Sequence, residues 1–556
     1  MEKIWLKNYP KNIPHEINPD SFTSLTDLFK LAVKQFGEKP ALYNLGTTIT
    51  YNTLEKKSRD FAAYCQQHLK LQKGDRIAIM LPNSIQYFVA LFGAFLAGLT
   101  VVNINPLYTP RELEHQVNDA GTDTIIVLAN FVHAVQEALS KTKLKNVIVT
   151  EIGDMFSKAK SHIVNFAVRR KGKIAPNYNA PHIIRFRELM KKGKRAKLNE
   201  VSLSGDDIAF LQYTGGTTGV SKGAILTHRN ILANVEQTYA WVSPVIDSGN
   251  EIIITALPLY HIFSLLANCF LFLKAGILNV LITNANDISG LVKELSKHQF
   301  TVITGVNTLF KALLRHKNFK DLDFSKLKVA LGGGMAVHKS VADHWQEVTG
   351  AALLEGYGLT ECSPVVCCTP IHLKAYHGSI GLPIPSTELK VIDDAGNSLP
   401  TGEIGELCVR GPQTMRGYWN KIEETANVLC EEGWLKTGDV VRIDPEGYVY
   451  IVDRKKDLIV VSGYNVYPNE IEEVIAGHPG VLEVAVIGID SDKTGEIIKA
   501  FVVKKESTLT KESIVDFCRD RLITYKIPRR FEFRDELPKS NVGKILRRAL
   551  KEEEVL

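Results

Sequence analysis

The sequence predicts an α/β protein with a large N-terminal domain of mixed and parallel sheets packed with helices, a β-rich subdomain, and a small α+β domain at the C-terminus. Three observations predict it. Over the first 200 residues, short β-branched runs alternate with helical patterns, the pattern of parallel α/β sheets. After Gly396, short strands follow one another closely between glycine turns. The charged run Asp453-Arg454-Lys455-Lys456-Asp457 lies between two apolar strands, and about 100 residues with an α+β pattern and a basic tail follow it. At 556 residues the chain also exceeds the size at which a single core stops growing. The expected division is a domain over 1–453, a hinge over 454–457 and a second domain over 458–556.

The elements follow in order. Ser24-Leu25-Thr26-Asp27 reads as a capping box with Ser24 as N-cap, opening a helix to about Phe36. Residues 76–81 (Arg-Ile-Ala-Ile-Met-Leu) read as a buried strand, and Pro82-Asn83 as the start of the next helix. Residues 124–128 and 146–150 are further strands. An inserted loop or helical hairpin is expected over about 157–198, before the strand 208–212. Residues 262–273 form an apolar run of 12, which fits a buried helix and falls short of the roughly 18 residues of a membrane span. Strands at 406–410 and 447–452 belong to the β-rich part.

Composition narrows the class. With 45% hydrophobic and 23% charged residues the chain is globular, not disordered. Its eight cysteines (65, 269, 362, 367, 368, 408, 430 and 518) contain no Cys-x-x-Cys pair, and no histidine cluster completes a zinc site. That fits reduced core residues in a cytoplasm. The N-terminus Met1-Glu2-Lys3-Ile4-Trp5 has no hydrophobic signal core. Charge is uneven: residues 158–197 hold 13 Lys or Arg and one acid, Glu188, while the rest of the chain has 54 basic and 60 acidic residues. Ile163, Val164, Phe166, Val168, Ile183, Ile184, Phe186, Leu189 and Met190 are interleaved with those cations. A basic amphipathic segment of this kind suits an anionic membrane surface; a solvated basic excursion is the plainer alternative. No recognition module for nucleic acid accompanies it.

The most informative stretch is Tyr213-Thr214-Gly215-Gly216-Thr217-Thr218-Gly219-Val220-Ser221-Lys222-Gly223. Glycines let backbone N–H groups approach an anion, hydroxyls add donors, and Lys222 adds a mobile charge, a combination suited to a polyphosphate. It is not a Walker A loop, because Lys222 is followed by Gly223 and not by Ser or Thr. A Gly/Thr-rich turn between two strands has the same composition, so the loop alone leaves both readings open.

Further blocks decide between them. Leu257-Pro258-Leu259-Tyr260-His261-Ile262-Phe263, Gly356-Tyr357-Gly358-Leu359-Thr360-Glu361, Trp434-Leu435-Lys436-Thr437-Gly438-Asp439, the run from Asp453 to Asp457, and Pro538-Lys539-Ser540-Asn541-Val542-Gly543-Lys544-Ile545-Leu546 occur in that order. Together with the glycine-rich loop they resemble the adenylate-forming superfamily of acyl-CoA synthetases, peptide-synthetase adenylation domains and firefly luciferase. The resemblance runs from about Ser24 to about Leu550. The acyl block, the lysine block and Val461-Ser462-Gly463-Tyr464-Asn465-Val466-Tyr467-Pro468-Asn469-Glu470 are more specifically similar to the bacterial long-chain fatty acyl-CoA synthetases.

What the resemblance implies is an ATP-dependent ligase with Mg2+ and coenzyme A, whose small C-terminal domain is mobile. Tyr213, Thr214, Gly215, Gly216, Thr217, Thr218, Gly219 and Lys222 would bind the phosphates, with Thr214 and Glu361 on the magnesium, a hard ion suited to oxygen ligands. Tyr357 would stack on adenine, between glycines Gly333, Gly334 and Gly358 and beside Thr360; Asp439 and Arg454 would hold the ribose. Lys544 would bridge the substrate carboxylate and the α-phosphate as charge accumulates there. Lys456 would be the hinge position, and Gly463 would give the pantetheine arm its passage. His261 would position the carboxylate or gate the acyl channel, walled by Phe263, Leu265, Leu266, Phe270 and Leu271; a satisfied buried histidine is the alternative. Two departures are visible: Val460 stands where luciferases carry a lysine, and Leu265 where some thermophilic relatives carry a tryptophan gate.

The expected activity is conversion of a long-chain fatty acid to acyl-AMP and then acyl-CoA, with AMP and pyrophosphate released. A fatty acyl-AMP ligase, a medium-chain or aryl-CoA ligase, and a non-catalytic fatty-acid or nucleotide-binding protein are the rivals. The expected location is cytoplasmic, on the inner face of the cytoplasmic membrane. A homodimer is compatible with the sequence.

Overall fold

The computed structural model describes residues 3–170, 183–214, 221–461, 464–491, 494–540 and 543–555. Two open sheets build the large domain. One has the strand order Ile183–Arg185, Asn146–Thr150, Thr124–Leu128, Arg76–Met80, Thr100–Asn103, Ile208–Thr214, Lys222–Thr227; all neighbours are parallel except the last pair, which is a hairpin. In the other, a parallel centre (Leu353–Gly358, Val329–Gly333, Val302–Gly305, Ile252–Thr255, Leu278–Leu281, Pro40–Asn44) is closed by antiparallel strands at both edges. The helix Ile85–Leu96, buried at every residue, touches strands of both sheets. Its all-round apolar sequence allows no solvent face. Phe92 stacks on Phe29 with centroids 4.2 Å apart, and each fully buried ring of this kind contributes about 1.5–3 kcal/mol.

The expected strands at 76–81, 124–128 and 146–150 appear at Arg76–Met80, Thr124–Leu128 and Asn146–Thr150. The helix Leu25–Phe36 is capped by Ser24, whose hydroxyl oxygen accepts from the Asp27 N–H. The reciprocal half of the box differs: the Asp27 carboxylate accepts from the Ser24 hydroxyl, at 2.9 Å. The next helix starts at Ile85 and not at Pro82-Asn83. Asn83 is committed elsewhere: its amide donates to the carbonyls of Thr255 and Leu257 and its oxygen accepts from the Leu259 N–H, all at 2.9 Å.

The basic segment also departs from expectation. It is no simple insertion, because Ile183–Arg185 is an edge strand paired with Asn146–Thr150, and the helix Phe186–Gly193 packs on the helix Tyr51–Gln67. Phe186 and Leu189 are core residues at 1% and 0% exposure, not part of an amphipathic surface. Residues 171–182 lie outside the described set.

Four strands, Glu388–Ile392, Ile404–Arg410, Leu435–Ile443 and Val449–Arg454, form an antiparallel meander that is the β-rich subdomain. After a single turn at Lys455–Asp457, Ile459–Val461 enters a separate five-stranded sheet. Its core gathers Ile459, Val466, Ile471, Val486, Val502 and Ile514 with the helices Pro468–Ala476 and Lys511–Arg519. The small domain meets the large one through polar contacts. Lys311 donates to the Leu482 carbonyl at 2.6 Å, and Gly543 lies so near Thr308 that a Cβ there would be 2.5 Å from its hydroxyl. The eight cysteines are unpaired. Among the described residues no helix is long and apolar enough to cross a membrane.

Candidate active site

The hairpin of Ile208–Thr214 and Lys222–Thr227 sets Tyr213 opposite Gly223 and Thr214 opposite Lys222. Any Cβ at 223 would press to 3.1 Å from the Tyr213 ring, which is why glycine fits there. Gly215, Gly216, Thr217, Thr218 and Gly219, between these strands, lie outside the described residues. The helix Pro110–Ala120, started by the reciprocal capping box of Thr109 and Glu112, braces both flanks of the loop. The Tyr213 hydroxyl donates to the Asp119 carboxylate at 2.6 Å, and His115 Nε2 lies 3.1 Å from the Ser221 carbonyl oxygen. Trp419 donates from its indole to the Asp119 carbonyl and from its backbone to that of Gly223. Lys222 forms an ion pair with Glu424 and lies 5.3 Å from the Tyr418 ring centroid.

Glu361 sits on a single helical turn, Thr360–Cys362, and its carbonyl accepts from the Met415 N–H at 2.7 Å. Its carboxylate Oε1 accepts from the Tyr418 hydroxyl at 2.6 Å. That bond aims the carboxylate and commits one oxygen. Among the described residues no cluster of three or more His, Cys, Asp or Glu could hold a metal alone. One carboxylate and the Thr214 hydroxyl fit a magnesium that brings most of its oxygens with a polyphosphate.

The strand Leu353–Gly358 carries Tyr357, whose hydroxyl donates to Asp439 Oδ2 at 2.7 Å. Asp439 Oδ1 lies 3.2 Å from Arg454 Nε, because Asp439 and Arg454 are partners across adjacent strands. The glycines here are required by close packing of the surrounding chain. A Cβ on Gly333 would meet the Gly356 carbonyl and the Phe263 ring at 3.0 Å, and one on Gly358 would strike the Pro364 carbonyl at 2.1 Å. Gly334 has φ +75°, a conformation that side chains resist.

Lys544 arrives from the other domain. It sits on a tight turn in which Ser540 N–H donates to its carbonyl at 2.7 Å and Gly543, at φ +80°, donates back to Ser540 at 2.8 Å. Burial pushes the Lys544 ammonium down to about 8, with Arg454, Lys456 and Arg547 adding repulsion and Asp439 opposing them. Burial likewise holds Lys456 at about 8. His261, whose own burial is the main cause, is held at about 4, and Lys544 is the charge that adds to it. So the structure brings Lys544, Arg454, Asp439, Lys456 and His261 into one electrostatic neighbourhood. A site with this surplus of cations is built for an anion.

The block 257–263 is suspended on buried polar bonds. Gln212 donates to the Tyr260 carbonyl at 2.8 Å and accepts from Asn103; Tyr87 donates to the Leu259 carbonyl at 2.9 Å. Behind it the helical run from Ile262 to Lys274 is wholly buried through Leu273 and includes a widened π-helical turn at Leu265–Phe270, which the apolar pattern does not announce. Phe263 faces Gly333. Phe270 instead joins Phe92, Phe95 and Phe210 in the core, so it is a packing residue more than a channel wall.

Sequence reasoning missed Tyr418, Glu424, Asp119, His115 and Arg547. Arg547 ties the domains: its guanidinium bonds Glu472 at 2.6 Å, Asp453 at 3.2 Å and Asp457 at 3.3 Å. None lies in a block with its own signature, and each acts on a partner far along the chain. Gly463 lies outside the described residues.

Comparison with known proteins identifies the family. A family model described as "AMP-binding enzyme" matches residues 29–419, and one described as "AMP-binding enzyme C-terminal domain" matches 470–544. A long-chain-fatty-acid–CoA ligase of Escherichia coli O6:H1 is 55% identical over 553 residues, covering 100% of this chain and 98% of its own. The enzyme of that name from Salmonella typhimurium is 54% identical with the same coverage. Among solved structures, an anthranilate CoA ligase in complex with anthranoyl-AMP superposes with a TM-score of 0.84 at 24% identity, over 97% of this chain and 100% of the other. That likeness concerns the fold.

Proposed function

This chain belongs to the AMP-binding enzyme family, and from that premise we propose that it is a long-chain fatty acid–CoA ligase that forms acyl-AMP and then acyl-CoA. The observation that carries the proposal is the meeting of Lys544 with Asp439, Arg454, Lys456 and His261 beside the block 257–263. In the first step a carboxylate oxygen attacks the α-phosphorus of ATP, the bond to the β-phosphate oxygen breaks, and pyrophosphate leaves. Little covalent help is needed; charge must be neutralised and the groups aligned. The Lys544 ammonium would contact both the carboxylate and the α-phosphate. His261, neutral at physiological pH, would hold the carboxylate by a hydrogen bond without adding charge.

The remaining roles follow the geometry. Tyr357 and the glycines Gly333, Gly334 and Gly358 would enclose adenine, and Asp439 would accept from the ribose hydroxyls once Tyr357 and Arg454 share it. Thr214, with Gly215, Gly216, Thr217, Thr218, Gly219 and Lys222, would take the phosphates. Thr214 and Glu361 would hold Mg2+, which supplies charge neutralisation on those oxygens. In the second step the CoA thiol attacks the acyl carbonyl and AMP leaves as its phosphate oxygen takes the bonding pair. A single site would not easily present both Lys544 and that thiol. The polar docking of the small domain supports a rotation about 454–457, with Lys456 in the turning segment and Gly463 on the thiol's path. Fatty acids partition into bilayers, and the excess of cations over 157–198 supports peripheral contact with an anionic membrane, from which substrate would be taken.

Fatty-acid-dependent exchange of pyrophosphate into ATP across a chain-length series, with product analysis with and without CoA, tests the proposal. Exchange that peaks with long chains, and acyl-CoA formed when CoA is added, is the expected result. Exchange without acyl-CoA would make the chain an acyl-AMP ligase, and no exchange with any carboxylate would overturn the proposal.

A further inference from the structure

The helix Lys158–Arg170 presents large apolar residues on its outer side. Its inner side carries Ser161, fully buried, and Asn165, whose side-chain oxygen accepts from the Gly153 N–H at 2.8 Å. Arg187 pins it further, bonding the Ser161 hydroxyl and pairing with Asp154 at 2.9 Å, and Arg169 pairs with Glu151. These polar anchors fix its rotation. Its outer stripe is Ala159, His162, Ile163, Phe166, Ala167 and Arg170, all exposed, with Ile163 at 70% and Phe166 at 65%. Val164 and Val168 on the inner side pack against the core, yet Ile163 and Phe166 face outward, where an ordinary surface helix shows polar residues.

A second element stands beside it. Strands Pro40–Asn44 and Thr47–Thr50 are joined by the two-residue turn Leu45-Gly46, with φ +48° and +76°. Such turns favour Asn, Asp or Gly in the first position, yet here a leucine occupies it and is 43% exposed. Lys160 joins the two elements: its ammonium lies 2.9 Å from where a Cβ on Gly46 would be. Leu45 therefore shares a surface with the helix that presents Ile163 and Phe166. The helix adds Lys158, Lys160, Arg169 and Arg170 and no acid.

We propose that this surface is the membrane-docking face, with Ile163, Phe166 and Leu45 entering the apolar side of an anionic bilayer interface and Lys158, Lys160 and Arg170 at the level of the lipid phosphates. It rests on the peripheral-membrane reading above and narrows it. The core residues Phe186 and Leu189 drop out, and three apolar side chains on two rigid elements remain. A partner surface that must be both apolar and anionic over the length of a 13-residue helix matches an interface of acidic phospholipid, where such helices lie flat.

The test is flotation of the full chain with phosphatidylcholine vesicles containing phosphatidylglycerol, compared with phosphatidylcholine alone. The double variant Ile163→Ser/Phe166→Ser should bind the anionic vesicles about 100-fold more weakly, two large apolar side chains having left the interface. Its activity on detergent-dispersed fatty acid should match the parent. Leu45→Asn, which suits the turn better and so will not impair folding, should weaken binding about fivefold. Ile422→Ser, at an exposed position elsewhere (87%), should change nothing. If parent and double variant float equally, this surface is not the docking face, although the membrane reading stands. If the parent does not float, the membrane reading itself fails and takes the assignment with it. A parent that self-associates, with a monomeric double variant and no flotation by either, would make the face a contact between copies and overturn the lipid assignment.

Discussion

The end of the site proposed for the nucleotide and the end that carries Lys544 are held by different physics. At the nucleotide end each functional side chain is aimed by a short hydrogen bond from within the large domain: Tyr213 to Asp119, Tyr418 to Glu361, Tyr357 to Asp439. Tyr213 and Tyr357 stand on strands of the two large sheets, and their partners come from a helix (Asp119) and the antiparallel meander (Asp439) packed against them. At the lysine end, Lys544 rides on a turn whose own bonds keep its shape. Its presence in the site depends on interdomain contacts that are few and polar: Arg547 with Asp453, Lys311 with the Leu482 carbonyl, and Gly543 against Thr308. Interfaces of that kind are made and broken readily. Under the proposed roles, ATP would meet a preformed cradle, while the charge that completes adenylation would be delivered and withdrawn with the small domain.

The sharpest way to separate the two ends is Lys544→Ala. Adenylation, read by pyrophosphate exchange, should fall by about a thousandfold, in the range seen when one preorganised charge-stabilising group is removed. ATP binding, read by calorimetry, should stay within about threefold, since the hydrogen bonds that aim Tyr213, Glu361 and Tyr357 come from within the large domain. A comparable loss in both would mean that the two ends are one unit.

Arg547→Met breaks delivery without touching the lysine. Asp453, at 0% exposure, and Glu472 lose their partner, and removing one member of a buried pair costs about 3–5 kcal/mol. Exchange should fall about a hundredfold. Because the small domain then docks less well, a second, lower unfolding step should appear in calorimetry. Retained exchange would show that docking does not depend on this guanidinium.

At the nucleotide end, Tyr418→Phe removes one hydrogen bond to a carboxylate, worth about 1.5–3 kcal/mol. It should raise the KM for magnesium-ATP about tenfold while leaving the fatty-acid KM alone. An effect on fatty-acid KM instead would move Glu361 out of the nucleotide cradle.

How much of this was legible follows from the range of each interaction. Ser24 caps its helix three residues away and the strands at 124–128 and 146–150 are local β-branched runs, so sequence patterns report them well. The ordered blocks likewise named Tyr357, Asp439, Arg454 and Lys544, which are linked to one another in the structure, and Glu361, which is held by Tyr418. Tyr418, Glu424 and Asp119 act on residues 57, 202 and 94 positions away, and no periodicity encodes such pairings. The basic segment misled for a related reason. An apolar stripe among cations reads the same whether protein or lipid covers it. Phe186 and Leu189 pack on a helix from residues 51–67, whereas Ile163 and Phe166 face outward.

The smallest predicted effect is also the one that joins the two ends, because it arises from Lys544 entering the cations of the large domain. Its ammonium is held at about 8, mainly by burial, so the docked free enzyme loses that proton as pH rises through about 8. The value of kcat/KM for exchange reports the free enzyme and should fall above that pH, by up to tenfold per unit. Docking should respond in the opposite direction. A lysine whose pKa is lowered on docking binds fewer protons when docked, so the cost of burying its charge is fully present below about 8. That cost is relieved as pH climbs from there toward the ordinary lysine value near 10.5. Activity falling while interdomain fluorescence transfer reports tighter docking, in the same pH window, is therefore the expected signature. Lys544→Arg, which keeps its charge throughout, should flatten both curves. If the alkaline fall survives in that variant, Lys456, also held at about 8, is the group that titrates, and the fall then reports the turning segment and not the reacting phosphate.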